Sequence, residues 1–145
     1  VTDAGDHTAS VVVTATVRAV TPFVVTFGLF TMLHGTTSVG GGFQGGVVVA
    51  AAVVTLAFAF GVERTRRAVG TQRSLAGAVV GVGLFAAVAF GSLALGGGFL
   101  DVGTYDALGV AKATVYAVEL VEVGIGLAVA SALSVLFFEI SRVVR

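Results

Sequence analysis

Four long apolar stretches, separated by short polar junctions, dominate the hydropathy pattern of this chain. They run roughly from Val11 to Leu33, Phe43 to Val62, Leu75 to Leu95 and Val115 to Phe138. Each reaches the ~20 residues that an α-helix needs to cross a bilayer. Within them the apolar residues are continuous and show no two-residue alternation, so the wall of a membrane barrel is not the pattern. The spacing predicts an all-α integral membrane bundle of four transmembrane helices, each satisfying its own backbone hydrogen bonds in lipid. That domain is expected over residues 11–145, after a polar, acidic tail over residues 1–10, "VTDAGDHTAS", which lacks the basic start of a signal peptide. The chain begins without methionine, as expected of a trimmed protein or a piece of a larger one.

Composition agrees with that pattern. Of the 145 residues, 57% are hydrophobic and 11% charged, with a mean hydropathy of +1.06. A soluble domain carries about 25% charged residues, so no soluble domain is expected beside the four spans. Cysteine is absent, which removes thiolate metal sites and disulfides. The formal net charge is zero, which offers no basic surface to nucleic acid.

The arginines give an orientation. "ERTRRAVGTQR" between the second and third spans carries Arg64, Arg66, Arg67 and Arg73, and Arg142 and Arg145 follow the fourth. The opposite junctions, residues 34–42 and 96–114, hold only Lys112 as a basic residue. Short loops rich in Lys and Arg stay in the cytoplasm, so both termini are expected there. Arg18 is expected to anchor the inner end of the first span by snorkelling, with Pro22 one turn later near the start of that helix.

This topology puts "HGTTSVGGGFQGG", residues 34–46, at the outer face between the first two spans. Gly40, Gly42 and Gly45 satisfy the dinucleotide pattern G-x-G-x-x-G, but that fingerprint has meaning only between a strand and a helix. Gly41 with Gly45, Gly42 with Gly46, and Gly77 with Gly81 are each four apart and would form grooves for close helix packing. Glu119 and Glu122, three apart, share a face of the last span, and Gly126 continues that face. An ionised carboxylate nearer the bilayer centre costs at least ~2.5 kcal/mol on insertion scales, so Glu122 is expected to be neutral, paired or hydrated. Two readings stand for it: contact with a proton or cation, or a fixed salt bridge to a neighbouring subunit. Glu119, nearer the interface, leans to the second. Glu139 reads as a solvated helix end, and Glu63 belongs with its neighbouring arginines. For His34, capping of helix carbonyls stands beside a proton-shuttle role.

The quoted outer motif, the second helix entered directly from it, the arginine-rich inner loop and "ELVEVGIGLAV" in the last span resemble the MnhB/MrpB-type subunit of multisubunit sodium/proton antiporters. The likeness extends from Arg18 to Phe138. Related domains occur in hydrogenase-type and other complex I-like assemblies. Two positions depart from the family pattern: Val39 stands where a proline is usual, and Thr36 where a second histidine is common. Both changes weaken a proton relay through the outer loop itself. The resemblance implies an accessory, non-enzymatic subunit of the B type that needs no cofactor, with other subunits, the lipid bilayer, sodium ions and protons as its partners. Glu122, Glu119 and His34 are the ion-route candidates it supports, with Ser38 and Gln44 shaping the outer mouth. No lysine lies within a span, so exchange by this chain alone is not expected. The alternative is a structural subunit of a hydrogenase-type assembly, without ion contact.

Overall fold

A computed structural model describes residues 10–35 and 40–143. Its elements are α1 (Val11–Met32), α2 (Gly42–Phe60), α3 (Val62–Val69), α4 (Thr71–Ala94), a 3-10 helix (Val102–Leu108) and α5 (Ala113–Val143). Four of them, α1, α2, α4 and α5, are long and apolar enough to span a membrane, and no strand occurs among the described residues. The fold is therefore the all-α, four-span membrane architecture that the hydropathy pattern predicts. Of the expected N-terminal tail only Ser10 is described, and its hydroxyl accepts the Val12 N–H at 3.3 Å to cap α1.

Three features go beyond the pattern. The second span stops at Phe60 because Gly61 adopts φ +93°, and Gly70 at φ +79° makes a second break. Both values lie in the left-handed region that side chains disfavour. Between the breaks, the arginine-rich junction forms α3, a short helix with Thr65 buried. At the opposite end of the row from α3, residues 95–112 fold back on the helix ends rather than looping free. The Tyr105 hydroxyl donates to the Val88 carbonyl at 2.7 Å, and fully buried Ser92 donates to Gly98 O at 2.8 Å. Asp106 accepts the Thr114 N–H at 3.3 Å, closing the start of α5.

The helices make an open row: α1 packs on α2, α2 on α5, and α5 on α4, while α1 meets α5 only slightly. No contact joins α4 to α1 or α2 among the described residues. Glycines mark all three crossings. At α1–α2, a Cβ on Gly28 would lie 3.1 Å from Gly45 O. At α2–α5, one on Gly46 would lie 2.6 Å from Gly126 O, and one on Gly126 2.9 Å from Gly42 O. At α4–α5, one on Gly81 would lie 2.5 Å from Gly124 O, and Gly77 lies against the Ser131 hydroxyl. Backbones meet directly at these points, as small residues allow where lipid provides no hydrophobic drive. Gly124 and Gly126 are two apart and so point to nearly opposite sides of α5, one toward α4 and the other toward α2.

Six hydroxyls inside the spans are satisfied locally. Thr21, Thr26, Thr31, Thr55, Ser134 and Ser141 each donate to the carbonyl four residues earlier, which hides them from hydrocarbon. Large apolar side chains cover the outside of the row: Phe23, Phe58 and Val79 are 75%, 72% and 73% exposed.

Candidate functional site

Glu122 lies nine residues into α5, about 14 Å from its first residue at 1.5 Å per residue. Measured against its neighbour, however, it stands level with the first turn of α2. The Gly42 N–H, at the first helical position of α2, donates to Glu122 Oε2. This N–H is one of the donors that a helix start leaves without an intrahelical acceptor, and the carboxylate also meets the positive end of the α2 dipole. Glu122 thus has a partner within the chain, at a helix end.

Three glycines of the outer motif make room for that carboxyl group. A Cβ on Gly35 would come within 2.9 Å of Glu122 Cδ, one on Gly41 would meet the same atom at 2.9 Å, and one on Gly42 would run into the Glu122 backbone carbonyl. Any side chain at these positions displaces the acid. Below the carboxylate, Gly46 and Gly126 continue the contact, sealed by Met32, whose sulfur would lie 2.9 Å from a Cβ on Gly126. Met32 is 7% exposed, whereas Glu122 itself is half-buried. The cluster therefore joins α1, α2 and α5 at one level around a single ionisable group.

The remaining candidates are distributed around this cluster. Glu119 is half-buried one turn further out on α5, and no hydrogen bond or ion pair to it occurs among the described residues. His34 turns back on its own helix: its ring stacks on Phe30 at 3.9 Å, and Nδ1 lies 3.0 Å from the Phe30 carbonyl. A carbonyl only accepts, so Nδ1 carries the hydrogen in this contact. Gln44 is exposed on another side of α2 from Gly42 and Gly46, where it lines a groove of about 400 Å³ with Phe27, Phe30, Thr31 and Phe43. Gly40 sits beside Thr31 and Gln44 rather than beside the acid. Ser38 lies outside the described residues. The structure therefore brings Gly35, Gly41 and Gly42 to Glu122, packs Gly46 against Gly126 one turn deeper, and sets Gln44 and Gly40 apart.

Gly35, Gly28, Gly124 and Met32 belong to these contacts without standing out in the sequence. Two of them had a legible signal: Gly35 is inside the outer motif, and the G-x-G of residues 124–126 offers small residues to two faces of one helix. Met32 had none, since an apolar residue in an apolar span carries no mark of its partner. At the α3 end of the row, Glu63 binds Arg66 at 3.1 Å and Arg67 at 3.7 Å, and Glu139 binds Arg142 at 3.0 Å. Arg18 lies with its guanidinium 5.5 Å from the centre of the Phe60 ring, level with the last residue of α2. Among the described residues no three His, Asp or Glu side chains lie close enough to share a metal ion.

No curated protein matches the chain as a relative. A family model does, over residues 12–135, and its description is a domain related to the MnhB subunit of Na+/H+ antiporter. The match takes in α2 and α4 whole, α1 from Val12, the glycine motif and α5 as far as Val135, its acidic stretch included, and the chain belongs to the MnhB family.

Proposed function

We propose that this protein is a B-type accessory membrane subunit of a multisubunit sodium/proton antiporter, and that Glu122 is its contact with the transported proton or cation. One observation carries the reading: a half-buried carboxylate is held at the outer end of α2 by a cradle of glycines, at the joint of three helices. Intramembrane acids that face a helix joint are functional by default. Only one carboxylate oxygen accepts from Gly42, and an exchangeable proton or ion would use the other. Glu119, one turn outward, would be the next polar station, and His34 the titratable group at the mouth. The glycine crossings would hold the row rigid while its exposed apolar flanks meet lipid and the other subunits. Both termini and α3 would face the cytoplasm of a cell membrane.

The same hydrogen bond supports a second reading, in which Glu122 is a static lock between α2 and α5. Glu122→Gln separates the two. Its amide oxygen still accepts from Gly42, but the side chain no longer ionises. The measurement is sodium-dependent proton movement in everted vesicles, normalised to assembled complex. An ion contact requires at least a tenfold loss of exchange with assembly intact. Exchange at the parental rate would establish the lock and remove Glu122 from the ion route.

A further inference from the structure

We propose that the groove between the Arg18–Pro22 turn of α1, the last turn of α2 and α3 is a binding site for one anionic phospholipid, its phosphate held by Arg18 and Arg64 and an acyl chain laid along the apolar wall. The groove has a volume of about 410 Å³, and both arginines line it, with Pro22, Leu56, Phe60 and Ala68 forming apolar wall. No acidic residue lines it. Among the described residues neither arginine has a carboxylate within ion-pair distance, although Glu63 is the direct neighbour of Arg64. Helix geometry is the reason: adjacent residues do not face each other, whereas residues three and four apart do. Glu63 accordingly engages Arg66 and Arg67. Arg64 is left on the side of α3 that continues into Ala68, toward α1.

Arg18 completes the site from the other wall. The Phe60 ring lies 5.5 Å from its guanidinium carbon, a cation–π contact that fixes the charge at the level where α2 ends. Thr21 and Pro22 share its face of α1 one turn deeper and line the same groove. Two guanidinium groups at a membrane–water boundary, above an apolar furrow, match a phosphodiester headgroup with its chain below. Arginine is suited to phosphate by its planar fork of donors, and basic pockets between helix ends are a recognised form of lipid recognition. A soluble anion would use the charges but gain nothing from Leu56, Phe60 and Ala68. This site is at the opposite end of the row from Glu122 and is independent of the ion-route reading.

Native mass spectrometry of the detergent-purified chain, titrated with phosphatidylglycerol and with phosphatidylcholine of matched acyl chains, tests the proposal. The expected result is one tightly retained phosphatidylglycerol, bound at least tenfold better than phosphatidylcholine. Arg18→Gln with Arg64→Gln should abolish that preference, whereas Arg18→Lys with Arg64→Lys should keep part of it. Ala68→Phe, which retains both charges and fills the furrow, should also lose the lipid. Arg73→Gln, an exposed arginine outside the groove, should leave binding unchanged, and circular dichroism reports that each variant stays helical. Equal retention of the two lipids would overturn the proposal, as would loss of binding in Arg73→Gln to the same extent as in the double variant. Displacement of the lipid by millimolar inorganic phosphate would also overturn it, in favour of a soluble anion.

Discussion

At the scale of single residues, the contact between Glu122 and Gly42 ties chemistry to architecture. A carboxylate on a helix start does two things at once: it accepts an N–H that would have no partner in lipid, and it sets a negative charge on the positive end of a dipole. Removing the side chain is therefore different from removing its charge. Glu122→Ala leaves the Gly42 N–H without its acceptor and should cost about 1–2 kcal/mol, as loss of an N-terminal cap does. Glu122→Gln keeps an acceptor and should cost about 0.3–1 kcal/mol, the dipole part alone. Thermal unfolding in detergent, followed by circular dichroism, checks the order: alanine below glutamine, and glutamine slightly below the parent. If glutamine were as damaging as alanine, the charge and not the hydrogen bond would dominate the contact. The sequence marked Glu122 as an acid expected to be neutral, paired or hydrated, and its depth explains why. It did not name the partner, because a backbone N–H at a helix start looks the same in any sequence and becomes visible only when two helices are set at one level.

At the scale of helices, the glycines differ in what they touch, which gives predictions of opposite sign within one class of substitution. Gly46→Leu places a Cβ 2.6 Å from Gly126 O and 3.0 Å from Val129 Cβ, so α2 and α5 must separate. Overpacking of this kind costs about 1–3 kcal/mol, and more follows if the three-helix joint at Glu122 opens with it. Loss of the assembled complex on a native gel is the expected outcome. Gly83 lies mid-helix in α4, and a Cβ added there would have nothing within 4 Å. Gly83→Ala thus meets no obstacle and removes the entropic cost of a helical glycine, so stability should rise by about 0.5–1 kcal/mol. A melting temperature that falls in Gly83→Ala would show that α4 packs on something at that face. The four-residue spacings of Gly42 with Gly46 and Gly77 with Gly81 were legible because one helix face repeats at that interval. In the structure the first pair meets α5 and the second meets α5 from the other side. Gly41 and Gly45, spaced in the same way, do not act as a pair: Gly41 meets the Glu122 carboxyl group, and Gly45 meets Gly28 and Met32 of α1. Spacing identifies a face but not the partner. The helix break at Gly61 was hidden for a related reason, since a glycine within an apolar run signals packing and hinge equally.

At the scale of the whole molecule, the open row leaves both apolar flanks uncovered, and the arginines gather at one end of it. The four spans were legible from hydropathy alone, because the bilayer fixes their length and composition. Their order in space was not, since the apolar side chains that cover most of every span are satisfied by lipid or by any neighbour alike, and the glycine and acidic faces name no partner. Orientation is open to a direct measurement. The chain has no cysteine, so single cysteines at exposed positions report one site each. Gln72 is exposed at the start of α4, beside the arginine-bearing α3, and Ala107 is exposed in the 3-10 helix at the other end of the row. Arg64, Arg66, Arg67 and Arg73 lie at the first end, with Arg142 closing α5 there, whereas Lys112 is the basic residue of the second. The positive-inside bias therefore places Ala107 outside. An impermeant thiol reagent applied to intact cells should label Ala107→Cys and spare Gln72→Cys, and in everted vesicles the pattern should reverse. Labelling of Gln72→Cys in intact cells would invert the row. Glu122, at the end that carries Ala107, would then open toward the cytoplasm, and an exchange assay would have to seek its proton on that side.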